Sequence, residues 1–341
     1  MRSIFIILLA LAASFTSSIV TAKPYKGAEI FSSDSYLYGR YEMRMRVARA
    51  SGVLSTFFTY KDGSEIGNTF WEEIDIEIFG KNNATEWQSN VILGSSRPTI
   101  NSEQHHTNAT SLADAYHTYV LEWTPDYVAW FIDGVEIRRI NGTSTVTSLT
   151  NKQSLRFNIW SSESAAWVGP WDDSVLPVYQ FVNYIEYKAY NTATKTFEGG
   201  WRDDFDTFDT KRWNKANWSF DMNRVDFAPE NALVKNGILV LALTKENATG
   251  YTGTPPADEP ASSSSASSVA VSSSVMSSSA ASSVVSSAVS SPVASSAPAA
   301  SSAGASSAKN SGSTSGGGGG SFPLAGLFLL CGLLFLRRTS K

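Results

Sequence analysis

The chain has 341 residues, a formal net charge of -4, ten tryptophans, thirteen tyrosines and one cysteine. No basic stripe appears, which argues against a nucleic-acid partner. The cysteine, Cys331, lies in an apolar stretch near the C-terminus, so a folded unit upstream must be held together by its core rather than by disulfides.

Residues 1–22 carry a basic start at Arg2, the apolar run IFIILLALAASF and the small-residue end Val20-Thr21-Ala22. That order predicts a secretory signal peptide, too short for a spanning helix, and a secreted or cell-surface location. Residues 23–256 follow, a size that suits one domain. Period-two alternation dominates them: in YGRYEMRMRVA (38–48), Tyr41, Met43, Met45 and Val47 share one face, and Glu42, Arg44 and Arg46 the other. LSTFFTY, WQSNVIL, HTYVLEW, SLRFNIW, YQFVNYIEYKAY and GILVLALT read as further short strands. AWFIDGVEI predicts a hairpin with Asp133-Gly134 as a two-residue type I′ turn. Many short strands and no long helical period give an all-β sandwich or jelly roll. His105-His106 would point to opposite faces of a strand and cannot share one ion; with no third His or Cys nearby, a loop role is expected. The sequons at Asn83, Asn108, Asn141, Asn217 and Asn247 are read as incidental.

Residues 257–315 are Ser/Ala/Val/Pro low complexity, which cannot bury enough surface to fold and predicts an extended linker. Residues 316–341 hold the glycines 316–320, the apolar run Phe322–Leu336 and Arg337-Arg338. This order resembles the bacterial Gly-Gly C-terminal sorting signals; a simple membrane anchor is the other reading. Either limits membrane association to this segment.

The informative stretch is WEEIDIEIFG, residues 71–80. Residues two apart in a strand share a face, so Glu73, Asp75 and Glu77 project together while Ile74, Ile76 and Ile78 enter the core. Glu72 falls on the other face and is expected to be structural. A solvated acidic strand or a calcium site would be the bland explanation, yet surface acids seldom alternate so strictly with isoleucine. Glu73 and Glu77 lie about 13 Å apart at Cα in an extended strand. If they lean together, their carboxyl groups approach the roughly 5–5.5 Å that a retaining glycosidase uses. Their crowding is expected to raise one pKa, so that one acid keeps its proton near neutrality.

EIDIE, with Trp71 and Gly80-Lys81 beside it, resembles the signature of family 16 glycoside hydrolases, and in particular the bacterial lichenases. The similarity extends through SGVLSTFFTY, QSNVI, YHTYVLEWTPDYVAWFIDG and RFNIWSSESAAWVG. The single residue between Asp75 and Glu77 favours the lichenase branch over the laminarinase-like branch, which inserts another. The resemblance implies a β-jelly roll with a concave cleft and endo-hydrolysis of β-1,3-1,4-glucan by a retaining double displacement. Glu73 would be the nucleophile, Glu77 the acid/base and Asp75 the residue that tunes them. It implies a cleft lined by Phe58, Tyr60, Glu65, Trp71, Gln88, Asn90, Arg156, Asn158, Trp160, Trp167 and Trp218. Trp160, Trp167 and Trp218 could be pure core, but Trp160 and Trp167 flank the polar loop SSESAA, which favours an open platform. A laminarin-type β-1,3-glucanase and a non-catalytic carbohydrate-binding jelly roll are the alternatives.

The resemblance also implies an unusual order. Residues 201–244, WRDDFDTFDT through LALT, look like a segment that opens most lichenases, so the chain looks circularly permuted, with a new joint at KAYNTATKTFEGGW (188–201), a stretch polar and Gly-containing as a surface loop would be. The alternative is a separate small module, which some 44 residues would support only marginally. No cofactor is expected for catalysis. A structural calcium is implied at Asn183, Asp204 and Gly237, held largely by backbone carbonyls, and the protein is expected to act as a monomer on β-glucan.

Overall fold

The computed structural model describes residues 22–95 and 100–258 and the pair Arg338–Thr339. The expected signal peptide, most of the 257–315 linker and nearly all of 316–341 lie outside the described residues. The fold is a curled antiparallel β-sandwich, and its only α-helices among the described residues are the four-residue turns α1 (Ser144–Thr147) and α2 (Ala165–Val168).

One layer contains β1 (Tyr25–Tyr36), β3 (Leu54–Tyr60), β4 (Phe70–Phe79), β5 (Glu86–Ser95), β6 (Ile100–Asn101), β7 (Gln104–Thr107), β11 (Gln153–Trp160) and β14 (Trp213–Lys215). It runs in the order β14-β1-β11-β3-β4-β5-β7, with β6 also on β5. The second layer contains β2 (Gly39–Arg46), β8 (His117–Trp123), β9 (Tyr127–Ile132), β10 (Val135–Asn141), β12 (Val178–Asn191), β13 (Thr196–Asp203), β17 (Ala232–Lys235) and β18 (Ile238–Lys245). Its order is β17-β18-β12-β2-β8-β9-β10, with β13 beside the far half of β12. The short strands β15 (Trp218–Ser219), β16 (Asp226–Phe227) and β19 (Arg338–Thr339) complete the set.

Alternation positions the core. Ile74, Ile76 and Ile78 are buried, as are Tyr41, Met43 and Met45 opposite them. Each such side chain contributes about 1.5–3 kcal/mol on leaving water. The layers are also tied by polar contacts: Trp130 Nε1 donates to the Asp75 carbonyl at 2.9 Å, and Gln180 Nε2 to the Thr56 carbonyl at 3.1 Å. The β9–β10 hairpin turns on Asp133 (φ 50°) and Gly134 (φ 79°), the two positive values that a type I′ turn requires.

Residues 201–244 are part of the sandwich rather than a separate module: β14, β16 and β18 pair with β1, and β18 with β12. The 188–201 stretch is not the loop expected. β12 and β13 pair antiparallel across it, with a register shift between Tyr187 and Ala189, so only residues 192–195 turn. Gly200 (φ 94°) permits this irregularity, because a Cβ there would lie 1.8 Å from the Tyr187 carbonyl oxygen. His105-His106 likewise lies on strand β7, not in a loop; the Trp87 and Phe79 rings that pack against the two imidazoles make the strand worthwhile for an otherwise polar segment.

Candidate active site

Strand β4 pairs with β3 and β5 without a register shift from end to end. Unbroken pairing preserves the pleat, so Trp71, Glu73, Asp75 and Glu77 share the face opposite Ile74, Ile76 and Ile78, and Phe79 at the end of that row is buried against Trp167. Neighbouring strands extend them into rows. Glu77 is opposite Thr56 on one side and Gln88 on the other; Asp75 is opposite Phe58 and Asn90; Glu73 is opposite Tyr60 and Ile92. The row through Glu77 continues to Asn158 and Glu29 in one direction and to His105 in the other.

Each outer carboxylate is held by a donor. Trp71 Nε1 donates to Glu73 Oε2 at 2.6 Å. Gln88 Nε2 donates to Glu77 Oε2, and Gln88 Oε1 accepts from Trp167 Nε1 at 3.1 Å, which orients the amide. Asp75 Oδ2 and its cross-strand neighbour Asn90 Oδ1 are buried with no hydrogen-bond partner among the described residues. Two buried acceptors side by side favour a proton on Asp75.

The carboxyl groups are all raised, and burial is the largest cause for each. Glu73 is pushed up to about 7; hydrogen bonds from Trp71 and Asp75 and the charge of Arg156 oppose the burial, while Glu29 adds to it. Glu77 is pushed up to about 8, with the Gln88 bond opposing and the charges of Glu73 and Glu103 adding. Asp75 is raised well above the usual carboxylate range, by burial and then by Glu73 and Glu77. The repulsion expected from the sequence is present but second to desolvation. The set holds one acid inclined to ionise beside others inclined to stay protonated.

One flank of the carboxylates is an open pocket lined by Glu29, Phe58, Tyr60, Glu65, Arg156, Trp218 and Ser219. Tyr60 donates to Glu65 at 2.6 Å and packs edge-on to Trp71. Arg156 is buried, donating to Glu29 at 2.9 Å and Asp62 at 2.6 Å, with its guanidinium over the Tyr60 and Phe31 rings. Asn158 donates to Glu29 and accepts from Thr56 at 2.5 Å. Glu29, Asp62 and Thr56 were not expected from the sequence. Alternation of Ala28 and Ile30 inward against Glu29 and Phe31 outward is the signal that could have found Glu29.

Trp167 is partly exposed, but Trp160 is not an open platform. Only 4% exposed, it packs against Trp167 at 5.8 Å and Phe220 at 5.0 Å. It shares the cleft face of β11 with Arg156 and Asn158, yet Trp167 and Phe220 close over it, so it supports the wall. Of the residues suggested for calcium, the Asn183 and Asp204 side chains have protein partners. Asn183 Nδ2 donates to Asp258 at 2.8 Å, Asp204 Oδ1 accepts from Arg202 at 2.7 Å, and Gly237 (φ 73°) lies in the β17–β18 turn. Arg202 already neutralises the only carboxylate of the three, so their side chains do not form a cation cage. Among the described residues no group of three or more His, Cys, Asp or Glu could hold a metal ion.

Residues 11–173 match the model of the family described as glycosyl hydrolases family 16. A β-glucanase of Fibrobacter succinogenes (strain ATCC 19169 / S85) is 46% identical over 261 residues, covering 74% of this chain and 74% of that protein. A β-glucanase of Acetivibrio thermocellus is 33% identical over 168 residues, covering 48% of this chain and 46% of its own length. Among solved structures, the Bacillus licheniformis β-glucanase matches with a TM-score of 0.41 and 28% identity, covering 47% of this chain and 70% of that one. With the Fibrobacter enzyme matched over three quarters of both lengths and a family model spanning the carboxylate strand, the chain belongs to family 16 of the glycosyl hydrolases.

Proposed function

We propose that the protein is an endo-acting β-glucanase that hydrolyses mixed-linkage β-1,3-1,4-glucan with retention of configuration. The observation that carries this reading is the set Glu73, Asp75 and Glu77 on one face of β4, each outer carboxylate oriented by its own donor. Glu73, ionised, attacks the anomeric carbon while the protonated Glu77 gives its proton to the departing glycosidic oxygen. The C1–O bond breaks and a Glu73 ester forms. Glu77, now a carboxylate, takes a proton from water as the water oxygen attacks C1; the ester C–O bond breaks, and Glu73 is freed. Asp75, neutral between them, donates to Glu73 and holds it for attack.

The cavity at Tyr60, Arg156 and Trp218 supplies aromatic faces and paired polar groups for glucosyl units. The β-glucanase relatives and the absence of a register shift in β4 support the mixed-linkage reading. The chemistry needs no cofactor. A calcium at the backbone around Asn183, Asp204 and Gly237 would be structural and take no part in these steps. Secretion through residues 1–22 and display or release through 316–341 complete the reading and suit a polymeric substrate outside the cell. Circular permutation is part of it too, and the pairing of β14, β16 and β18 from residues 201–244 with β1 is compatible with it.

Glu73→Gln is expected to lower kcat on barley-type glucan on the order of 10⁴-fold or more, and Glu77→Gln about 10²- to 10⁴-fold, with folding unchanged. Product analysis on lichenan, laminarin and carboxymethylcellulose fixes the linkage: equal turnover of laminarin would overturn the mixed-linkage assignment. Substantial activity in Glu73→Gln would overturn the role of Glu73.

A further inference from the structure

The row of side chains across the concave face runs Glu29, Asn158, Thr56, Glu77, Gln88, His105, each opposite the next in the β pairing. Every member up to Gln88 is tied to a neighbour in the row. His105 is the exposed end of it, its imidazole stacked parallel to the Phe79 ring at 5.6 Å and an interplanar angle of 2°. That stacking holds the ring on the floor of the cleft with its nitrogens available to a ligand.

We propose that His105 binds the departing side of the glucan, recognising a hydroxyl of the glucosyl units that follow the cleaved bond. The inference rests on Glu77 being the acid/base. Glu77 is tethered to Gln88 of β5, whereas Glu73 lies within the influence of Arg156 and Glu29 at the cavity flank. The bond to be broken lies between them, so the glycosyl part held on Glu73 occupies the cavity flank and the leaving alcohol faces β5 and β7. β7 lies two strand spacings, about 10 Å, from β4, which places His105 beneath the leaving units rather than at the reacting carbon. Trp167, partly exposed and edge-on to Phe79 at 5.9 Å, supplies the adjoining aromatic wall. A planar donor/acceptor backed by aromatic rings suits a sugar hydroxyl. His105 therefore contributes to binding of the leaving portion and takes no proton from the reaction.

The experiment compares two substrates in the full chain: the glucan polymer, whose leaving group is sugar, and an aryl glycoside of a β-glucan oligosaccharide, whose leaving group is a phenol. The ratio of kcat/KM on polymer to kcat/KM on the aryl substrate is measured for His105→Ala, His105→Phe and His105→Gln. Loss of one hydrogen bond corresponds to about a tenfold fall in that ratio. His105→Ala and His105→Phe should show it, the second while preserving the ring stack, and His105→Gln should recover most of it. A ratio at the starting value in both Ala and Phe variants overturns the proposal, as does an equal loss on both substrates. Failure of the acid/base assignment is distinguishable, because Glu77→Gln would then retain polymer hydrolysis whatever happens at position 105.

Discussion

Glu73, Asp75 and Glu77 couple the site to the stability of the fold, because folding takes all three from water and raises them. An acid raised on folding stabilises the native state only while protonated. Its contribution is complete below the unfolded pKa, near 4 for these side chains, and is lost as pH rises through the folded value. With Glu73 at about 7 and Glu77 at about 8, the melting temperature is expected to fall steadily from about pH 5 to pH 9. Asp75→Asn removes one raised group and the charge it would place beside Glu73 and Glu77, so its melting temperature should fall less over the same range. Differential scanning fluorimetry across that range tests this; a variant that declines as steeply as the parent would show that desolvation of these carboxyls does not govern the pH dependence. The same carboxyls were the most legible part of the site, since a single strand carries them and its period fixes their common face. Glu29 and Asp62 were not, because they reach Arg156 from β1 and from the turn after β3, and sequence separation hides such meetings.

At the scale of elements, alternation read from the sequence located the strands, because each has one face against the core and strict period two survives that burial. It failed where a second layer covers the outward face. Trp160 alternates correctly onto the cleft side and is still buried, since Phe220 arrives from a loop some 60 residues later. The β12–β13 hairpin was missed for a related reason: a Gly-Gly pair signals a loop, whereas here it accommodates an irregular strand pairing. Glu72 shows how β4 is fastened at its start. Fully buried, its carboxylate accepts from the Thr150 N–H at 2.8 Å, the Asn151 N–H at 3.0 Å and the Asn151 amide, with Lys61 Nζ at 3.8 Å. Removing it leaves the Thr150 and Asn151 N–H groups without their acceptor and Lys61 without its counter-charge. Glu72→Ala should therefore cost about 2–4 kcal/mol in urea unfolding while the folded fraction keeps its kcat. A cost under about 1 kcal/mol would mean that the turn before β11 is held by something else.

At the scale of the whole molecule, the two ends of the sandwich meet. Tyr25 and Lys26 pair with Lys245 and Thr244, and the Glu246 N–H donates to the Pro24 carbonyl at 2.9 Å. Beyond them residues 247–258 strap back over the second layer: Tyr251 packs against Tyr179 and Phe181, Tyr116 donates to the Pro256 carbonyl, and Asp258 pairs with Arg44 at 2.8 Å. Asp258, two residues past the boundary at 256 read from composition, is held to the second layer by that charge pair. The adjacency of Pro24 and Glu246 is what a permuted chain needs, for strand β18 could lead into β1 through a link of a few atoms, and the chain could open at the exposed turn 192–195 instead. A rearranged chain that starts at Thr194, passes from Glu246 to Pro24 through a short glycine link and ends at Ala193 is expected to fold and to hydrolyse glucan. Its proper control is the present order truncated after Glu246, which lacks the same strap. Against that control the rearranged chain should differ in stability by on the order of 1 kcal/mol, the scale on which loop-closure entropy changes when one short connection replaces another. Thermal melts and kcat/KM on barley-type glucan decide it: a rearranged chain that stays unfolded while the control folds would mean that the β12–β13 hairpin is required for the sandwich to assemble, and that the two orders are not interchangeable.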